Sequence, residues 1–423
     1  MKKHEIAADP DRKFRSSRAW EVAIIVLVIS RPEWVGTDIS IIAMAAYVVV
    51  VSVIRRTPWT ARISPAMVLF ILLATLSIGW TPSISSTLIY TGASICTIAC
   101  ALFTASVPSR EEALVGLMRG FKIAAFASLG VGLALPEIGI MGGIHTNGAL
   151  IGIYPHRNVL AGVIAFGLAL AFAYPRLLGR WALTKVAWLG LFAVVLFMAG
   201  SSTAILAVLL AISTAVVVLA LRNIGFRSAS LPFVMGGITI ALGVALAVSQ
   251  LPRITELLGR TSTLSGRTTI WTGVLEAARD HPWLGAGWGA AWQEDVSVSA
   301  AVRAYTSYSV TDAHNGYLDV LVQLGFLGFA CFLIFFVVTI VRALSYGLRG
   351  TTFGSLWPIT TLTLLAIVNF SESRAHEFLG WFLIILLYSV TTESGNWAEP
   401  DNNQTGQSTS RGTTLTTHMA RRA

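Results

Sequence analysis

The chain has 423 residues, 55% of them hydrophobic and only 12% charged, about half the ~25% charged share of a soluble domain. A fold with water as its main solvent is therefore excluded. The formal net charge is +9, but the basic residues fall mostly in short links between apolar runs. They form no stripe or face, so no nucleic-acid partner is implied.

A membrane-spanning helix needs about 20 mostly apolar residues. In chain order such runs are expected at 19–35, 38–54, 63–80, 85–105, 116–135, 158–174, 182–199, 202–221, 231–250, 316–341, 355–370 and 376–391. The expected fold is all-α and polytopic, with about 12 transmembrane helices. Glu21, Arg31 and Glu33 leave the first run a short clean core, Val22 to Ser30. No small-residue cleavage site follows it, so it reads as a retained helix rather than a signal peptide. The three cysteines, Cys96, Cys100 and Cys331, lie inside apolar runs and read as small buried thiols; no disulfide framework or zinc spacing exists.

Orientation follows from the Lys/Arg bias of short loops. With 1–18 as a cytoplasmic N-terminal segment, the inner loops carry Arg55, Arg56 and Arg62, then Arg110, Arg176 and Arg180, Arg222 and Arg227, and Arg342 and Arg349. The alternate short loops at 81–85 and 200–202 carry neither Lys nor Arg. Residues 19–250 then hold the first nine helices, 251–313 a long outer loop containing short helices, and 314–391 the last three helices. Residues 392–423, rich in Thr, Ser, Asn and Gly, read as a disordered cytoplasmic tail. Long connections are uncommon unless functional, which directs attention to 251–313 and to the glycine-rich outer segment 137–157.

Within the long loop, Ser265-Gly266-Arg267 opens an amphipathic stretch with Ile270, Trp271, Val274, Leu275 and Ala278 at helical spacing, Ser265 as N-cap and Pro282 as stop. Arg267 in a first turn opposes the helix dipole. It either pairs with a local carboxylate or, with the free N–H groups there, holds phosphate oxygens. The segment His281-Pro282-Trp283-Leu284-Gly285-Ala286-Gly287-Trp288-Gly289 suggests a tight turn. Its tryptophans, with Trp271 and Trp292, either anchor the loop at the interface or stack on sugar rings. In Asp312-Ala313-His314-Asn315-Gly316-Tyr317-Leu318, Asn315 caps the next helix and puts His314 at the outer boundary. There it is a polar interfacial residue or a general base worth typically ~10²–10⁴-fold. Arg157, before Asn158, is a second arginine on the side that the positive-inside rule disfavours. Glu372, in the knot 369–377, is a partner for His314 or an arginine, or pairs with Arg374.

These motifs in this order, together with Gln323-Leu324-Gly325-Phe326-Leu327-Gly328, resemble the O-antigen ligase/polymerase family over about 200–372. The resemblance implies a glycosyltransferase working outside the cytoplasmic (inner) membrane. It would move a glycan from an undecaprenyl diphosphate carrier to a lipid, a growing polymer or a protein. It implies Arg267 as diphosphate binder, His314 as the base for the acceptor hydroxyl, Arg157 as the family's other outer arginine, and matches at Asn315 and Glu372. Trp271 is a further candidate for substrate contact. No Asp-x-Asp pair or acid cluster is seen outside, so no metal or cofactor is expected and arginines must stabilise the leaving anion. Ligase and polymerase remain open. The reading from another class is a flippase or transporter for lipid-linked sugars, which calls for mid-span polar residues or broken helices; the spans read as clean.

Overall fold

The computed structural model describes residues 10–30, 37–54, 56, 59, 61–142, 148–223, 266–293, 296–306, 310–373 and 378–392. Among them the chain is almost all helix, without a β-strand; Ile140 and Leu150 form an isolated bridge. The helices are α1 (Pro10–Ile29), α2 (Thr37–Ile54), α3 (Pro65–Leu76), α4 (Ile84–Ala105), α5 (Arg110–Ala134), α6 (Pro136–Gly139), α7 (Arg157–Ala173), α8 (Ala182–Ala199) and α9 (Ser202–Asn223). After residues 224–265, which lie outside the described set, come α10 (Arg267–Ala278), α11 (Ser297–Thr306), α12 (Gly316–Arg349), α13 (Trp357–Val368) and α14 (Phe378–Thr392).

The protein is a polytopic helical membrane protein. Among the described residues, five helical stretches are long and apolar enough to cross a bilayer: Ile84–Ala105, Arg110–Ala134, Ala182–Ala199, Ser202–Arg222 and Gly316–Arg349. The runs expected at 38–54, 63–80, 158–174, 355–370 and 376–391 appear as shorter apolar helices. The first run is helical to Ile29, and the run at 231–250 lies outside the described residues. On α8, Leu183 and Phe197 are about four-fifths exposed, as lipid-facing side chains should be when no hydrophobic gain distinguishes protein from acyl chain.

Close packing of α1 on α5 has a local cause. Gly116 and Gly120 stand four residues apart on α5 and face α1. A Cβ on Gly116 would fall 2.6 Å from Val22 Cβ, and one on Gly120 2.8 Å from Val26 Cβ. Small residues at this spacing let two backbones approach where larger ones would hold them apart.

Two expectations are corrected. The span expected to run clean from 316 to 341 continues to Arg349 and is broken at Gly325 (φ 63°, ψ −166°). The backbone groups freed by the break are taken up by the 281–289 turn. Ala286 N–H donates to the Val322 carbonyl (3.0 Å), and Gly287 N–H to the Gln323 carbonyl (2.9 Å). Phe326 N–H reaches the Pro282 carbonyl (2.8 Å) and Leu327 N–H the Trp283 carbonyl (3.3 Å). The two backbones touch: a Cβ on Gly285 would lie 2.4 Å from the Gln323 carbonyl carbon, and one on Gly325 2.3 Å from that of Trp283. The pairing of the glycine motif at 285–289 with Gln323-Leu324-Gly325 is thus one structural unit. Second, the span expected to be clean carries a buried carboxylate at its start: Asp319, in the first turn of α12, is 2% exposed.

Candidate active site

Three chain segments meet at the end of the bundle where α12 begins. Asn315 caps α12, its Oδ1 accepting from the N–H groups of Tyr317 (3.1 Å) and Leu318 (3.2 Å), which satisfies two of the helix's orphan donors. The cap is where its sequence position places it. Gly316 N–H donates to the Asn369 carbonyl at 2.9 Å, and a Cβ on Gly316 would collide with Asn369 Oδ1 at 1.9 Å. Glycine is therefore required for the start of α12 to touch the end of α13, and that contact brings residue 314 beside residue 372.

The third segment is α10. Ile270, Val274 and Ala277 on its inner face form a small core with Val298 and Val302 of α11 and Val322 of α12, which fixes Arg267 at the first helical position on the rim. Gly266, with φ 84°, stands at the N-cap; Ser265 lies outside the described residues. Trp271 donates its indole N–H to the Ala313 carbonyl at 3.1 Å. It braces the segment that carries His314 and is not among the residues lining the cavity described below.

Glu372 is the hub, its side chain 5% exposed. Oε1 accepts from Arg267 Nη2 at 2.5 Å and from Asn158 Nδ2 at 2.5 Å; Oε2 lies 3.7 Å from His314 Nδ1. Asp312 stands on the other side of the imidazole. Its Oδ1 is 3.3 Å from His314 Nδ1, accepts the His314 N–H at 2.6 Å and accepts the Ser373 hydroxyl at 3.1 Å. His314 has φ 46°, a left-handed conformation that costs of order 1–3 kcal/mol in a non-glycine residue and persists when its surroundings over-determine it. The Asp312 turn before it and the Asn315 cap after it do so.

The contacts of Nδ1 to the two carboxylates are ion-pair distances rather than good hydrogen bonds, so their effect is electrostatic. Burial alone would make His314 less basic. Glu372 and Asp312 together outweigh it, Arg267 opposes them, and the pKa lies above the ordinary histidine value. Nδ1 is buried, and His314 lines the cavity described next.

The cavity has a volume of about 700 Å³. His314, Asp312, Glu372 and His156 line it at this end. A second set of lining residues is polar and aromatic. Trp292 donates to Asp319 Oδ1 at 2.6 Å, Gln323 Oε1 accepts the Gly289 N–H at 2.7 Å, and Trp288 donates to Ser94 Oγ at 3.3 Å. A third set, Ile29 from α1, Val163 and Phe166 from α7, and Phe378 and Leu379 from α14, is apolar. The tryptophans divide accordingly. Trp283 is 65% exposed, as an interfacial anchor would be, whereas Trp288 is 2% exposed and packs edge-on against Phe70 at 5.2 Å.

The structure therefore brings Arg267, His314 and Glu372 together and places Asn315 and Trp271 as their supports. Arg157 begins α7, one residue before the Asn158 that bonds Glu372; its Nη1 would lie 3.9 Å from a Cβ on Gly200, and it is not among the lining residues. Arg374 lies outside the described residues. Asn158, Asp312, Asp319 and Gln323 are the residues sequence reasoning left without a role. The signal for Asp312 was its place two residues before His314, where an Asp side chain closes a local turn. Among the described residues no group of three His, Cys, Asp or Glu side chains is placed to hold a metal ion.

Residues 186–333 match the model of the family described as O-Antigen ligase, so the family resemblance carried by the motif order holds. A curated relative, "Exopolysaccharide production protein ExoQ" of Rhizobium meliloti (strain 1021), is 25% identical over 194 residues, 43% of this chain and 43% of the relative. The match thus spans less than half the length of that relative. Arg267, Trp271, His314 and Asn315 fall inside the family match; Arg157, Asn158 and Glu372 fall outside it.

Proposed function

We propose that the protein is a membrane glycosyltransferase that moves a glycan from a polyprenyl diphosphate carrier to an acceptor hydroxyl on the outer face of the cytoplasmic membrane. The observation that carries this reading is that His314 and Glu372 line one end of a cavity whose other walls are in part polar and aromatic and in part purely apolar, while Arg267, which is not a lining residue, pairs with Glu372 from behind. A lipid-linked sugar has those same two parts. The O-antigen ligase match and the relative's name, exopolysaccharide production, support a glycan substrate.

The chemistry follows from the atoms. The acceptor oxygen attacks the anomeric carbon, and its proton passes to His314 Nε2. The bond from that carbon to the diphosphate breaks, its electron pair going to the phosphate oxygen, and configuration inverts. The imidazolium so formed is stabilised by Asp312 and Glu372, as a carboxylate steadies the base in hydrolytic triads. Arg267 donates to Glu372; a guanidinium has five N–H donors, enough to hold a carboxylate and the departing diphosphate together, and stabilising charge that develops in the transition state is usually the largest catalytic effect.

The break in α12 is a feature a transporter would share, but its freed backbone groups bond the 281–289 turn rather than the cavity. Incubation of purified protein with labelled lipid-diphosphate glycan and acceptor tests the reading. Arg267→Ala and His314→Ala are each expected to lower transfer by at least ~10²-fold with membrane insertion intact. Near wild-type transfer by either variant discards the assignment. Movement of donor across a vesicle bilayer without bond formation would favour a transporter instead.

A further inference from the structure

The far end of the bundle holds a second cavity, of about 490 Å³, between the last turns of α12, the link at 350–355 and the end of α14. Arg342 and Arg349 line it together with the hydroxyl-bearing Ser345, Tyr346, Ser355 and Thr391, and among the described residues none that lines it is acidic. Arg342 is held in place: Nη1 donates to Thr392 Oγ1 at 3.2 Å, and the guanidinium carbon lies 5.1 Å from the centre of the Tyr388 ring. From α9, Arg222 reaches the same link, donating to the Thr352 carbonyl at 3.1 Å and to Ser355 Oγ at 3.4 Å. A fixed guanidinium set among hydroxyls is suited to phosphate oxygens.

An apolar track leads to this cavity. Ile334, Val337 and Val341 recur at helical spacing on α12, are 56%, 46% and 40% exposed, and end at the cavity, which Val341 itself lines. Free phosphate or a nucleotide has no use for such a track. One kind of molecule matches both parts: acyl chains along α12 and a charged phosphodiester at its end. Basic pockets between helices at a membrane surface take such headgroups.

We infer that this cavity binds the headgroup of an anionic phospholipid, with Arg342 and Arg349 on the phosphate, the hydroxyls on its glycerol oxygens, and an acyl chain along Ile334, Val337 and Val341. On the orientation read from loop charge, the lipid belongs to the cytoplasmic leaflet. The inference does not depend on the proposed transfer reaction.

Native mass spectrometry of the full chain, released from micelles holding equal phosphatidylglycerol and phosphatidylcholine, tests it. The wild type should retain phosphatidylglycerol in preference, and Arg349→Gln should lower that retention about fivefold, the worth of one basic residue at an anionic surface. Arg349→Lys should keep most of it, and Ile334→Ser should weaken it. An excess of inorganic phosphate should leave it unchanged. Equal retention of both lipids overturns the inference, as does wild-type retention by Arg349→Gln and Arg342→Gln. Displacement by inorganic phosphate would overturn the lipid as the source of the phosphate. Arg342 also packs on Tyr388, so if its variant fails to fold, Arg349→Gln at the exposed rim decides the question alone.

Discussion

Where α12 begins, Arg267 meets Glu372 at 2.5 Å and His314 stands between Glu372 and Asp312. At the opposite end other cations meet carbonyls, hydroxyls and aromatic rings. Lys122 donates to the carbonyls of Leu177 and Leu178 at 2.8 and 3.0 Å. Arg119 lies 4.7 Å over Trp20, Arg180 lies 5.8 Å over Trp181, and Arg110 reaches the Tyr174 hydroxyl. A carbonyl or a ring immobilises a cation but leaves its charge uncancelled, as suits an anchor in an anionic interface. A carboxylate cancels the charge and can be replaced by another anion. The first arrangement suits an anchor in the bilayer; in the proposed reaction the second would hold positive charge in reserve for a diphosphate.

Glu372→Gln should break the comparison most severely. The amide keeps the shape and one acceptor but removes the negative charge that Arg267 and His314 share. Breaking a buried pair costs ~3–5 kcal/mol; with Arg267 17% exposed, about 2–3 kcal/mol is expected after solvent screening. Transfer should fall at least ~10²-fold and thermal stability should drop with it. Wild-type values in both measurements would remove Glu372 from the centre of the site. Lys122→Met supplies the contrast. It removes two charge-assisted hydrogen bonds at a half-buried position, so a loss of about 1 kcal/mol in stability is expected. Transfer rate per folded molecule should not change, and a fall in it would mean that the two ends are coupled.

The difference between the ends also explains what could be read in the sequence. Apolar runs report directly on solvent, so the helices from Thr37 to Asn223 and from Gly316 onward fall on the expected runs, although polar ends extend two of them: α5 begins at Arg110 rather than 116, and α12 ends at Arg349 rather than 341. Asn315 was legible because capping is local, and Arg267 and Glu372 because each is a charge out of place. The break at Gly325 was not. Hydropathy is blind to backbone angles, and the cause, the 281–289 turn pressed against α12, is tertiary. Asn158 was hidden for a similar reason: an uncharged amide at a helix start looks like a cap, and its bond to Glu372 crosses 214 positions. The short separation of Gly116 and Gly120, by contrast, was in plain view and gains meaning once α1 is seen to lie against it.

Asp312→Asn is expected to have the smallest effect and to separate the two roles of that side chain. The amide oxygen can still accept the His314 N–H and keep the local turn, while the charge beside Nδ1 is lost. Asp312 is one of the influences that raise the His314 pKa, so its removal lowers that pKa. A general base must be unprotonated; the acid limb of the transfer rate should therefore move to lower pH in the variant. Stability gives an independent check with a defined sign. A histidine whose folded pKa is raised adds stability that is fully present below its unfolded pKa and fades as pH rises through the folded one. The variant should accordingly lose thermal stability relative to wild type mainly in the acidic range, with the gap closing once His314 is neutral. If Asp312 served only to hold the turn, rate and stability would instead fall by a similar factor at every pH, with no displacement of the acid limb. A pH–rate profile of the two proteins, taken beside melting curves at the same pH values, distinguishes a residue that tunes the imidazole from one that merely folds the chain around it.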